Sequence, residues 1–298
     1  MAIYVTGDTH GSGIGSVGLS ADGFMRRFTD ESFPEQNDMT KEDFVIICGD
    51  FGGIWSTNRA AFSESKSEQE ALDWLDNRPF TTLFVPGNHE NYDRLTGIKS
   101  RKLLGSWLYQ YMGYSEKEKL KAGYPQKDWH GGKIREIRPS VFMLERGEIF
   151  NLNGKYVFAF GGAQSHDIRD GILSPSDFSD EEQFESAYDE WRRSKQFRVE
   201  GISWWKQEMP TEDEMDHGRK NLEEHLAHNR KIDMFITHDA PAGDSYYFGF
   251  KADKLNKYLQ QMELLAKPKK WFYGHLHENK KVFDSHYLLY EQIIQASK

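Results

Sequence analysis

The sequence predicts an α/β fold on two observations: short apolar runs that end abruptly in small or polar residues, and amphipathic stretches with helix-start signatures between them. The runs are IYVTGD, FVIICGD, TTLFVPGNH, KYVFAFGG, DMFITHD and KWFYGH. Each is β-branched or aromatic and reads as a buried strand with a sharp exit turn. Ligands of α/β folds gather at the carboxyl ends of strands. Asp8, Asp50, Asn88, His238 and His275 each follow an apolar run immediately, which lets residues distant in sequence meet at neighbouring strand ends.

The helix candidates open with capping boxes, in which a Ser or Thr accepts the N–H three residues on and a Glu there reaches back. Ser67 with Glu70 predicts a helix over 67–78, and Ser179 with Glu182 predicts another. Thr211 with Glu214 leads into Met215, Leu222 and Leu226. From Ala252 onward, Leu255, Leu259, Met262 and Ala266 recur at steps of three and four, one helical face for packing.

The 298 residues show no internal repeat or low-complexity linker, and the polar strand exits come from both ends, so one domain over 1–298 is expected. A hydrophobic content of 38% with 14% aromatic residues suits a globular protein, and no stretch reaches the roughly 18 apolar residues of a membrane helix. The first residues lack the charged and apolar regions of an export signal. Cys48 is the single cysteine and lies in an apolar run, which predicts a buried structural thiol in a reducing compartment, the cytoplasm. With 38 basic and 47 acidic residues the net charge is −9, which argues against binding duplex nucleic acid through a basic surface. Phosphate substrates remain compatible, since bound divalent cations outweigh the mean field locally.

Residues 98–138 interrupt the pattern with ten basic and four acidic residues and with Trp107, Tyr109, Tyr111, Tyr114, Tyr124 and Trp129. A surface guiding a nucleotide-like substrate is one reading, because bases stack on rings. The plainer one, adopted here, is a solvated helical pair whose aromatics cap the core.

Asp8 and His10, Asp50, Asn88, His238, and His275 and His277 together form a donor set of hard oxygens and borderline imidazoles without thiolate. It suits Mn, with Fe or Zn as alternatives, and suits an all-oxygen Ca site less well. Two cations roughly 3.5–4 Å apart activate a water between them and offset charge on the phosphoryl and leaving oxygens. Each signal alone is weak, since an Asp after a strand is commonly a cap and Gly-Asn an ordinary turn. GDTHG, GDFGG, GNHE, THD and GHLH arising together in compatible order without function is the poorer account.

These motifs resemble the calcineurin-like metallophosphoesterase family, whose pattern is D-x-H, GD, GNH, H and GHxH in that order, over residues 7–277 here. GGAQSHD at 161–167, GISWW at 201–205 and LERGE at 144–148 further resemble small bacterial and prophage-type members, against which residues 98–124 look like a peripheral insertion. The resemblance implies a β-sandwich flanked by helices, an α/β/β/α four-layer fold. It implies two divalent metal ions, one held by Asp8, His10 and His277, the other by Asn88, His238 and His275, with Asp50 bridging and a hydroxide between them as nucleophile. His89 resembles the family's general acid, a role imidazole suits near neutral pH.

Family protein phosphatases continue their second motif as GDxxDRG, whereas this chain reads GDFGGIW and places Gly53 and Ile54 at the Asp and Arg positions. A phosphodiesterase acting on a nucleotide or small phosphodiester is therefore expected, with a phosphomonoesterase as the alternative and a non-catalytic scaffold as a less favoured one. Glu90, Asp93 and Asp239 are candidates to orient His89. Arg94 and Arg146 are candidates to bind phosphate, and His166 to line the pocket. Gly13-x-Gly15-x-x-Gly18 matches a dinucleotide fingerprint in spacing only, because it follows DTHGS rather than a strand exit.

Overall fold

The structure, a computed structural model, describes residues 1–11, 23–55, 64–97, 107 and 123–297. Gly13-x-Gly15-x-x-Gly18, Tyr109, Tyr111, Tyr114 and nearly all of the expected insertion lie outside the described residues.

The strands of one sheet are β1 (Ile3–Thr6), β2 (Phe44–Ile47), β3 (Thr81–Phe84), β4 (Gln126–Trp129), β5 (Gly132–Arg138), β6 (Val141–Leu144) and β15 (Ile293–Ser297). A second sheet holds β7 (Glu148–Leu152), β8 (Lys155–Phe160), β11 (Met234–Thr237), β12 (Lys270–Tyr273), β13 (Lys280–Val282) and β14 (His286–Leu288). Their spatial orders are β15-β1-β2-β3-β6-β5-β4 and β13-β14-β12-β11-β8-β7, and β9 (Ile172–Leu173) pairs with β10 (Arg198–Val199) in a separate ribbon. The six apolar runs are β1, β2, β3, β8, β11 and β12. β1, β2 and β3 pair in parallel, as do β8, β11 and β12, so each set delivers its carboxyl ends to one rim.

Alternate strand residues face opposite ways, as pleating requires. Phe44 and Ile46 of β2, followed by Cys48, meet Met234 and Ile236 of β11 and Phe272 of β12 in a core between the sheets. Val45 and Ile47 face outward onto Phe24, Phe28, Leu72 and Leu75. Phe158, Phe160, Phe235, Trp271 and Tyr273 leave the second sheet's outer face and pack on Met215, Leu222, Leu255, Leu259 and Met262 of the helices Glu212–Ala227 and Lys254–Ala266. The layers are helix, sheet, sheet and helix, as the resemblance implies.

Thr211 and Glu214 form the expected capping box. The other two boxes are shifted. The helix Lys66–Asp76 is capped by Ser65 with Glu68, and Asp180 rather than Ser179 caps Glu181–Trp191 by accepting from Gln183 N. Glu68 has further partners that decide its register: its carboxylate accepts from Trp55 N at 2.6 Å and pairs with Arg94 at 2.8 Å.

Residues 126–138 are the hairpin β4–β5 rather than part of a helical pair. Their aromatic and basic groups are structural. Trp129 packs on Phe44, Phe142 and Phe150, Arg135 pairs with Glu145, and Arg138 pairs with Glu64 and Asp73.

A buried charge clamp ties β14 to the outer helices. His286 Nδ1 lies 2.9 Å from Asp244 Oδ2, its Nε2 lies 3.0 Å from Glu263 Oε1, and Tyr273 donates to Asp244 at 2.7 Å. Burial opposes charging of His286, but the two carboxylates outweigh it and push its pKa up to about 9. A raised folded-state value means that the clamp's stabilisation is fully present below the ordinary histidine value of 6.5 and is lost as pH rises through about 9. The urea midpoint should fall across that window in the wild type, and His286→Leu should flatten this decline. An identical slope in both proteins would remove the clamp from the stability of the fold.

Candidate metal centre

The strand exits place every sequence-predicted donor on one rim. β1 leads into Asp8, β2 into Asp50, β3 into Asn88 and His89, β11 into His238, and β12 into His275 and His277. One ligand atom from each of Asp8, His10, Asp50 and His277 lies within 4.8 Å of the others. His10 Nε2 and His277 Nε2 are 2.8 Å apart, and His277 Nε2 is 3.1 Å from Asp8 Oδ2. The second group adjoins the first through Asp50. His238 Nε2 is 3.3 Å from Asp50 Oδ1 and 3.0 Å from Asn88 Oδ1, and the His238 and His275 rings are 4.9 Å apart. His275 Nε2 is buried with no hydrogen-bond partner, and a divalent cation would satisfy it.

The donors are interleaved so tightly that the preceding glycines are obligatory. A Cβ on Gly274 would lie 1.9 Å from Asp8 Oδ1, and one on Gly87 would lie 2.1 Å from Asp50 Oδ1. Backbone strain is stored here as well, with positive φ at His10 (48°), Asp50 (41°), His275 (70°) and His277 (51°). Each costs roughly 1–2 kcal/mol in a non-glycine residue and persists because the surroundings over-determine it.

Surrounding groups aim the donors. Cys48 O is 2.8 Å from His238 Nδ1, which assigns the proton to Nδ1 and leaves Nε2 for the centre. His275 N donates to both Asp8 carboxylate oxygens at 3.0 Å. Asn88 Nδ2 donates to Ser165 Oγ at 3.4 Å, and Ser165 donates to the buried Glu208 at 2.6 Å, which turns Asn88 Oδ1 toward His238. Arg27 donates to the carbonyls of Gly7, Asp8 and Tyr290 and fixes the exit of β1.

At Asp50 and His275 the electrostatics suit ligation. Burial alone would raise the Asp50 carboxyl, but His238, His89 and His10 hold it below the usual range. Burial, then the neighbouring His238, drive His275 far below the ordinary histidine value, and His275 is neutral at pH 7. Ionised carboxylate and neutral imidazole are the forms that bind metal.

His89 is half-buried beside the cluster, its ring 5.5 Å from His10 and 6.1 Å from Trp55, and its backbone N donates to Asp50 Oδ1 at 2.7 Å. The three acids proposed to orient it have other partners. Glu90 accepts from Phe51 N at 2.7 Å and Gly52 N at 3.4 Å, Asp93 from Trp205 Nε1 at 2.9 Å, and Asp239 from Ala240 N at 2.7 Å. The two arginines proposed to bind phosphate are also engaged inside the fold. Arg94 pairs with Glu68, while Arg146 donates to Gly161 O, Gln207 O, Glu208 O and the Tyr92 hydroxyl. His166 does lie at the rim, its ring stacked 4.4 Å from that of His275. Sequence reasoning missed Ser165, Glu208 and Arg27. Ser165 and the proposed pocket residue His166 both sit in GGAQSHD, the exit of β8, and that position was the available signal.

Two stacked sheets with carboxylate and imidazole donors converging at one rim define an α/β/β/α protein built to hold divalent metal. The chain belongs to the calcineurin-like phosphoesterase family, whose model matches residues 1–279 and so spans every donor named above. No curated protein matches the chain. Family and donor cluster together make it a metal-dependent phosphoesterase. Among the described residues no helix is long and apolar enough to cross a membrane.

Gly274→Ala tests the interleaving. Its methyl would force Asp8 to move, so elemental analysis should show reduced metal content, and stability should drop by roughly 1–3 kcal/mol in chemical unfolding. Unchanged metal content and stability would contradict the packing described.

Proposed function

We propose that the protein is a cytoplasmic phosphodiesterase that uses two divalent ions, Mn first with Fe or Zn as alternatives, to hydrolyse a nucleotide or small phosphodiester. Asp8, His10 and His277 would hold one ion, Asn88, His238 and His275 the other, and Asp50 would bridge. The observation that carries this reading is the placement of Asp50 between the groups. Its Oδ2 faces His10 Nδ1 at 3.9 Å and its Oδ1 faces His238 Nε2 at 3.3 Å. Bound ions of this kind activate water and offset charge on phosphoryl oxygens.

The residues supply positioning and the proton. His89 adjoins the cluster without belonging to the close donor group, a position from which its imidazole can protonate the departing alkoxide as the P–O bond breaks. Preference for a diester is supported by charge. A diester carries one negative charge where a monoester carries up to two, and Arg94 and Arg146, the arginines considered for phosphate, are both buried against internal partners.

Asp50→Asn should weaken both ions together, read as loss of both equivalents by elemental analysis. Full occupancy would rule out a bridge. His89→Ala should retain the metals yet slow turnover of an alkyl diester by roughly 10²-fold, and slow an ester with a p-nitrophenolate leaving group much less. An equal loss on both would remove the proton-donor role. The reaction class is tested by comparing methyl p-nitrophenyl phosphate with p-nitrophenyl phosphate, each with Mn, Fe or Zn added back. Faster hydrolysis of the monoester would reverse the diester assignment.

A further inference from the structure

Beside His275 opens a cavity of about 410 Å³, within the range of small-molecule sites, which run roughly 300–1,000 Å³. Its walls include His166, Phe250, Asp239, Asp253, Lys251 and Arg169. Two features set it apart from ordinary surface.

The first is a run of near-parallel rings leading away from the metal centre. His166 stacks on His275 with centroids 4.4 Å apart and planes at 26°, and Phe250 continues at 5.9 Å and 28° from His166. Phe250 is 48% exposed, so its ring contributes little to core packing. The backbone nevertheless builds its position. Gly249 takes a positive φ of 81°, and Phe250 N donates to Ser245 O at 2.9 Å, which sends the ring to the cavity mouth.

The second is the polar lining. Asp239 and Asp253 lie on the wall, Oδ1 of each accepting one backbone N–H, from Ala240 and Asn256, and Lys251 and Arg169 supply cations. A flat aromatic with amino groups at its edge and a phosphate attached matches this lining: the ring on Phe250 and His166, the amine toward the carboxylates, the phosphate toward the metals. An aliphatic alcohol would leave the ring faces in water.

We propose that this cavity is a nucleobase subsite, taking the base of a nucleotide whose phosphate lies at the metal centre. The assignment rests on the phosphodiesterase reading for its biological use, but binding can be measured without turnover. Base stacking on an aromatic side chain is worth about tenfold or more in affinity.

The experiment is calorimetric titration of the full-length, metal-loaded protein with AMP and, separately, with ribose 5-phosphate, which has the sugar and phosphate but no base. Wild type should bind AMP at least about tenfold more tightly. Phe250→Ala should abolish most of that preference, and Phe250→Trp should keep it. Equal affinity for the two probes in the wild type, or a preference that survives Phe250→Ala, would overturn the subsite. A Phe250-dependent preference in a protein that hydrolyses no diester would uphold the subsite and sink the phosphodiesterase reading. Diester hydrolysis without any preference for AMP would do the reverse.

Discussion

Everything at the functional rim depends on the two sheets being pressed together at their strand exits. His238, at the end of β11 in one sheet, faces the carbonyl of Cys48, at the end of β2 in the other, across 2.8 Å. His275, from β12, donates its backbone N–H to Asp8, from β1. These contacts join layers whose shared core is apolar, and three of the four residues that make them, His238, His275 and Asp8, are also candidate metal donors. The site is thus a seam rather than a pocket cut into one sheet, and its geometry is fixed by the same core that fixes the fold.

The seam also accounts for the unusual backbone. Left-handed conformations at His10, Asp50, His275 and His277 are tolerable because hydrogen bonds and neighbouring side chains leave no alternative. Supports beyond the donors, from Arg27 on the β1 exit to Glu208 and Ser165 behind Asn88, restrict the remaining freedom. Donors held in this way need little reorganisation when an ion binds, which is what pre-organised coordination requires.

Much of this was legible in the sequence. Six of the parallel strands were, because each is a continuous apolar run punctuated by glycine or a polar residue, and the donors were, because they sit on those punctuation marks. The antiparallel strands were not. β5 reads GKIREIR, and a register shift between Glu136 and Arg138 breaks the alternation a search would look for, while β4 is mostly exposed. Overlapping capping boxes in SKSEQE could not be separated by local rules, since the choice of Ser65 is fixed by Glu68 meeting Trp55 and Arg94 from elsewhere in the chain. The engagement of Arg94 and Arg146 was hidden for a similar reason: residue type suggested phosphate, and the internal partners Glu68 and Gly161 O lie elsewhere in the sequence.

Cys48 has a practical side. Its sulfur lies in the core between the sheets, and burial, with Asp8 nearby, raises the thiol well above its usual range. The chain's one native thiol is therefore chemically silent toward alkylating reagents while the fold holds. A cysteine introduced on an exposed surface would be the only one to react, so a fluorophore or spin label could be attached at a chosen point without first replacing a side chain packed in the core between the sheets.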